Sequence, residues 1–221
     1  MSTPPLFSVI ICTFNRASLL ARALDSLLAQ TGLQPEDWEA IIVDDGSTDT
    51  TQTVVEPYLR QHENFRYMYH ANCGTGASRT AGVEAARGLF VTFLDSDDEY
   101  LPTHLATRKR ILQAAPELEF VHGGLEIIGN PYVADKDDPT KLVHLSECVA
   151  GGTFVVKRDV VLRLGGFGTL RYADDAAFFE KAQRAGVHIY ALGSIPEFAE
   201  YATYRYYRTT EDSLCTTAFV E

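Results

Sequence analysis

The chain is short of several things, and each shortage narrows what it can be. Cys12, Cys73, Cys148 and Cys215 are its four cysteines, and no two of them form a Cys-x-x-Cys pair. That spacing suggests neither a zinc site nor a disulfide framework, so a reduced, cytosolic setting is the expectation. No apolar run approaches the length of a bilayer span, and the start, MSTPPLFSVIICTF, lacks a basic leader region. The chain is therefore expected to be cytoplasmic and soluble, or at most peripheral at the inner face of a membrane. Cations are outnumbered, giving a net charge of -11. A phosphate backbone would be repelled, which excludes a nonspecific nucleic-acid binder, although a metal ion could still mediate contact with a small phosphorylated ligand. Glycine is missing from the first turn, CTFNRAS (12–18), which rules out the G-x-G-x-x-G dinucleotide loop. The G-x-G in NCGTGASR (72–79) is a weak signal and lacks the Lys-Ser/Thr ending of a P-loop. No internal repeat, low-complexity tract or linker divides the 221 residues, a length that suits one domain with a substantial core.

What is present alternates. FSVIICTF (7–14), WEAIIV (38–43), FRYMY (65–69) and LFVTFL (89–94) read as buried strands. Between them, 16–30 sets Leu19, Leu20, Ala23, Leu24, Leu27 and Leu28 on one helical face. A second helix, capped by Ser47 or Thr48, is expected to run to about His62, and a third near 77–87. Such alternation predicts an α/β fold with a Rossmann-like, mostly parallel sheet flanked by helices. Beyond Pro102 the pattern is less regular: a helix through HLATRKRILQAA, a polar stretch over 129–152, a strand at 153–158, a helix over 174–186 stopped by Gly186, and a strand in VHIYAL. One domain with a regular, nucleotide-type half of about 1–98 and a less regular half of about 99–221 fits this change.

Ligands of open α/β sheets bind beyond the carboxyl ends of the strands. Three polar clusters fall there: CTFNR, DDGSTD and DSDD. In FLDSDDEY (93–100), four carboxylates crowd five residues, and like charges this close need a positive partner. Asp95 and Asp97 stand two apart and project the same way while the chain is extended. Two hard oxygen ligands aimed together suit Mg²⁺ or Mn²⁺ bridging to a phosphate. A solvated acidic turn is the plainer alternative for D-x-D alone. Asp44 and Asp45 supply the second cluster, whose Asp49 reads as a helix cap. Asp174 and Asp175 open a helix, where a capping role competes with a chemical one. The DKDD segment (135–138) reads as a solvated loop, and the six histidines, scattered in sequence, read as surface or core residues. The segment YATYRYYR (201–208) reads as an aromatic edge strand whose Arg205 or Arg208 could touch a sugar or phosphate.

The ordered set SVIICTFNR, IIVDDGSTD, GASRTAG, GLFVTFLDSDD, GGTFVVKR, GGFG and DDAAFF resembles the inverting family 2 glycosyltransferases of GT-A fold, from about Phe7 to Arg208. That resemblance implies a nucleoside-diphosphate-sugar donor, a divalent metal (Mn²⁺ or Mg²⁺) and a glycan or lipid-linked acceptor. Thr13, Phe14, Asn15, Arg16, Asp44, Asp45, Arg79, Asp95 and Ser96 would then contact the nucleotide sugar, with Asp45 accepting from the base N–H. Asp97 would ligate the metal directly beside Asp95, and Asp175 would be the catalytic base. The family commonly has Arg-Asn where this chain has Arg79-Thr80, and a C-terminal histidine of some members is replaced by Tyr207. The chain resembles a minimal, stand-alone catalytic domain. A metal-dependent nucleotidyltransferase and a non-catalytic nucleotide-sugar binder are the alternatives. A receiver-type signalling domain would need only about half this length.

Overall fold

The computed structural model describes residues 3–138, 140–170, 173–192 and 201–209. Cys215 and Tyr172 lie outside the described residues. The first half runs β1 (Phe7–Thr13), α1 (Ala17–Leu28), β2 (Trp38–Asp44), α2 (Thr51–Gln61), β3 (Phe65–Tyr69), α3 (Thr75–Ala85) and β4 (Phe90–Phe93). The second half continues with β5 (Glu99–Tyr100), α4 (His104–Ala114), β6 (Phe120–Gly123), β7 (Leu125–Gly129), β8 (Tyr132–Ala134) and β9 (Leu142–His144). It ends in β10 (Val155–Lys157), α5 (Arg158–Arg163), α6 (Asp174–Arg184), β11 (Ile189–Leu192) and β12 (Tyr204–Arg208).

Seven strands form one sheet in the order β11-β6-β10-β4-β1-β2-β3. The sheet is mostly parallel, and β10 is the strand that runs against its neighbours β4 and β6. Strand side chains alternate between two separate cores, because successive residues face opposite sides of a sheet. Phe7, Val9 and Ile11 of β1, with Ala40 and Ile42 of β2, pack against Leu20, Leu24 and Leu27 of α1. Ile10, Ile41 and Val43 face the other way, toward Val83 of α3, Val160 of α5 and Phe178 of α6. Both faces are thus covered, and unbroken apolar runs such as VIIC and AIIV follow directly from that.

The register decides where the chemistry sits. Thr13 pairs with Asp44 in the parallel β1–β2 ladder, and Ile10 pairs with Phe93 in the β1–β4 ladder. The three polar clusters therefore leave the sheet along a single edge.

Several local expectations need correction. Helix α2 starts at Thr51 with Thr50, not Ser47 or Thr48, at its N-cap, and Asp49 just before it holds the first turn: its Oδ1 accepts from Thr51 N–H at 2.9 Å. The other oxygen of Asp49 accepts from Ala17 N–H at 3.1 Å, so one carboxylate ties down two helix starts. The polar stretch 129–152 is not bare loop; β8 and β9 form an antiparallel hairpin within it. The Tyr/Arg-rich strand is not at an edge. β12 is the middle strand of a second sheet, β5-β12-β7, and its Tyr204 is buried. Helix α6 does stop at Gly186 (φ 71°). Gly186 N–H reaches Gln183 O and Val187 N–H reaches Ala182 O, the paired bonds of a Schellman ending that needs a left-handed residue.

Candidate active site

Beyond the carboxyl edge of the sheet lies a cleft of about 990 Å³. Its wall from the first half of the chain includes Thr13, Phe14, Arg16, Asp45, Arg79, Asp95, Ser96 and Asp97. Asp175, Glu180 and the hairpin segment Asp135–Asp137 line it from the second half. Two expected contact residues are absent from this wall. Asp44 is buried, accepting from Ser47 N–H at 2.7 Å and from the Tyr67 hydroxyl at 2.7 Å. Asn15 holds the neighbouring loop, its Oδ1 accepting from Thr48 N–H at 2.8 Å. Both stand outside the cleft wall and hold the loops next to it. The DKDD segment, expected to be only solvated, borders the cleft, and Lys136 ties it to Glu180 of α6 at 3.1 Å.

Phe14 is 46 % exposed at the mouth, an aromatic face available for stacking. Beside it the buried Thr13 hydroxyl has no hydrogen-bond partner among the described residues, which is unusual for a buried polar atom. Asp45 is fixed by the turn before α3. One carboxylate oxygen accepts from Cys73 N–H at 2.7 Å and the other from Gly74 N–H at 2.9 Å.

The centre of the site is Arg79, which comes off α3 and is almost fully buried. Its guanidinium donates to Asp174 at 2.8 Å and to Asp95 at 3.1 Å. Burial alone would pull its pKa down, but Asp174, Asp95 and Asp175 together raise it well above the ordinary value. Rings of Phe93 and Phe167 lie 5.8 and 5.7 Å from the guanidinium carbon, within reach of a cation–π contact. The capping role expected of Asp174 is corrected: the N-cap is Ala173, in a left-handed conformation, and Asp174 is an ion-pair partner.

Asp175 presents one oxygen to Gly151 N–H at 2.8 Å and the other to Ala176 N–H at 2.8 Å. Gly151 is required for that approach, since a Cβ there would lie 2.9 Å from Asp175 Cβ. Burial pushes the Asp175 carboxyl up, Arg79 pulls it down and Asp174 pushes it up again, leaving it raised.

In DSDD the three acids differ. Asp95 has Arg79. Asp98 is turned inward, accepting from the Tyr204 hydroxyl at 2.7 Å and Tyr207 N–H at 2.8 Å; it anchors β12 to the strand-end turn. Asp97 is partly buried and makes no ion pair among the described residues, and burial followed by Asp95 raises its pKa. Its backbone carbonyl accepts from Arg22, whose guanidinium stacks 3.8 Å from the centroid of Tyr207. A half-buried carboxylate facing a cleft beside a second one, without a paired cation, fits a divalent ion such as Mg²⁺ or Mn²⁺.

Both the sequence and the fold match a known group of proteins. The family model for glycosyl transferase family 2 matches residues 8–118, half of the chain. The chain belongs to glycosyl transferase family 2. Among curated relatives, an uncharacterized glycosyltransferase of Nostoc sp. is 39% identical over 145 residues, which is 65% of this chain and 44% of the relative. The chain thus spans less than half the length of that relative. Among solved structures, Staphylococcus aureus TarS 1–349 in complex with UDP-GlcNAc superposes with a TM-score of 0.76 at 23% identity, covering 94% of this chain and 60% of the other. That likeness establishes the GT-A fold. The mannosyltransferase PcManGT of Pyrobaculum calidifontis, in complex with GDP-Man and Mn²⁺, gives a TM-score of 0.66 at 25% identity, over 86% and 55% of the two chains. Among the described residues, no helix is long and apolar enough to cross a membrane.

The residues that sequence reasoning missed are Asp98, Arg22 and the true partner of Asp174. A signal for the last was present: Arg79 sits among small residues in GASRTAG, and a cation packed that closely needs a buried anion.

An acid whose folded pKa is raised above its unfolded value costs stability once pH exceeds the unfolded value. Asp97→Asn, without ligand, should therefore leave the thermal midpoint at pH 7 unchanged or raised, with any gain shrinking as pH falls toward the ordinary aspartate value of 3.8. A clear drop in midpoint at pH 7 would contradict this reading of the acid cluster.

Proposed function

We propose that this chain transfers a sugar from a nucleoside-diphosphate sugar, a uridine one, to the hydroxyl of a glycan-type acceptor with inversion at the anomeric carbon. The observation that carries the reading is that Asp97 and Asp175, from opposite halves, line one cleft, with Arg79 buried between their neighbours Asp95 and Asp174.

Each residue has a task set by its surroundings. Phe14 offers its exposed ring to the base, and the unpartnered Thr13 hydroxyl offers a hydrogen bond. Asp45 uses lone pairs left over from its two backbone donors to accept from a base N–H, since an ionised carboxylate has about four such positions. Uracil has that N–H, as does thymine. Asp95 and Asp97 would hold the divalent ion, Mn²⁺ or Mg²⁺, which when bound neutralises charge building on the departing diphosphate. The Mn²⁺ in the mannosyltransferase complex supports a divalent ion in this role. Arg79 keeps Asp95 oriented while its own charge is consumed by acids, so it acts as a positioning residue.

Asp175 takes the acceptor hydroxyl proton as the new bond forms at the anomeric carbon. The electron pair of the old glycosidic bond leaves with the nucleoside diphosphate. An acceptor hydroxyl is a poor nucleophile until that proton is drawn off in the transition state. A raised carboxyl pKa makes Asp175 a better base than an ordinary aspartate, and Gly151 N–H prevents it from rotating away. The acceptor would enter along the hairpin side, past Lys136 and Glu180.

Calorimetric titration with UDP, dTDP, GDP and ADP, each with and without Mn²⁺, tests the donor reading. Tightest binding of UDP, dependent on Mn²⁺ and lost in Asp97→Asn, is expected; a preference for a purine nucleotide would count against it.

The base assignment has its own test. Asp175→Asn should lower kcat by about 10²-fold or more while nucleotide affinity stays within a few-fold. In the parent protein, kcat should fall on the acid side with a midpoint above 3.8, the ordinary aspartate value, because the proton acceptor must be ionised. An unchanged kcat in the variant, or an acid limb that persists in it unaltered, would remove Asp175 from the role.

A further inference from the structure

At the back of the nucleotide-half wall, three different ligand types converge on one point. Asp45 Oδ1, His70 Nδ1 and Cys73 Sγ lie within 4.8 Å of one another. The separations are 3.4 Å from His70 Nδ1 to Asp45 Oδ1, 3.4 Å from Cys73 Sγ to His70 Nδ1, and 3.5 Å from Cys73 Sγ to Asp45 Oδ1. A tetrahedral ion with bonds of about 2.0–2.3 Å to N, O and S places its ligands roughly 3.3–3.7 Å apart. The trio already has the size and shape of one face of such a tetrahedron.

We propose that Asp45, His70 and Cys73 form a second metal site, for a borderline-soft divalent ion such as Zn²⁺. Softness separates it from the cleft acids: a thiolate with an imidazole selects zinc-type ions, whereas Asp95 and Asp97 offer only hard oxygens suited to Mg²⁺ or Mn²⁺. The surroundings support the ligands. Asp45 is held by Cys73 N–H and Gly74 N–H, so its carboxylate is oriented before an ion arrives. His70 Nε2 lies 3.4 Å from Ser78 Oγ; a proton on Nε2 directed there leaves Nδ1 bare for the metal, the usual way an outer partner fixes the tautomer. In the absence of an ion, Nδ1 lies 2.9 Å from Ala71 O, and that contact is given up on binding. Cys73 is exposed, which gives the ion a path in, and its thiol proton is released to solvent as the metal–sulfur bond forms.

The ion would consume Asp45 lone pairs at the cleft wall. It would therefore weaken nucleotide binding, a consequence that rests on the nucleotide-sugar reading above, whereas the site itself does not.

Co²⁺ is the probe, added to the full chain kept reduced with a phosphine. The expected result is a thiolate-to-cobalt charge-transfer band saturating at one ion per chain, displaced by Zn²⁺ and retained in Asp97→Asn. The band should vanish in Cys73→Ser, and His70→Ala should weaken Co²⁺ binding by more than about tenfold, since even outer partners cost that much. Circular dichroism of both variants checks that they fold. No band, a band surviving Cys73→Ser, or one unaffected by His70→Ala would overturn the proposal. Zn²⁺ should also weaken UDP binding measured with Mg²⁺ in the parent but not in Cys73→Ser. If the band behaves as expected yet neither protein binds any nucleotide, the metal site stands and the nucleotide-sugar reading fails.

Discussion

One buried guanidinium holds the two ends of the cleft in register. Arg79 is taken out of water, which is costly for a cation, and the cost is met by Asp174 and Asp95 at hydrogen-bonding distance with Asp175 close behind. Removing one partner of such an arrangement leaves uncompensated buried charge, typically a loss of about 3–5 kcal/mol. Asp95 belongs to the turn after β4 and Asp174 to the first turn of α6, so the ion pairs join the halves just where the cleft runs between them. Other features accommodate this placement. Gly151 lets a backbone N–H reach Asp175 beside the guanidinium, and Phe93 and Phe167 wall it from solvent.

The acids of the strand-end turn are divided by environment rather than by residue type. Asp98 faces inward to Tyr204 and Tyr207, Asp95 is neutralised by Arg79, and Asp97 is left raised in pKa at the cleft. A turn of three aspartates thereby yields one anchor, one ion-pair partner and one candidate for a metal. Arg22 adds a further restraint by gripping the Asp97 carbonyl and stacking on Tyr207. Tyr207 is thus tied to the acidic turn through its backbone and ring.

Much of the first half was legible in the sequence because its strands are buried on both faces and its helices are amphipathic, so period and length agree. Strand-end clustering of Thr13, Asp45, Asp95 and Asp97 was legible for the same reason: parallel register brings consecutive strand ends to one edge. The second half was harder. The hairpin of β8 and β9 has short strands and polar flanks, and β12 gains its neighbours from β5 and β7, distant in sequence, which no local pattern reveals. Asp44 and Asp45 look equivalent as letters, yet alternation sends Asp44 inward to Tyr67 and Asp45 to the cleft. The His70–Cys73 pair became visible only once the turn before α3 folded back onto Asp45.

Arg79 and Asp174 clamp the halves together as a coupled buried pair. A double-mutant cycle in urea unfolding, with Arg79→Met, Asp174→Asn and the combination, measures this most directly. Each single change should cost about 3 kcal/mol or more, and the double change should cost less than their sum by roughly 1–3 kcal/mol. Strict additivity of the two losses, or single changes that cost nothing, would contradict the account.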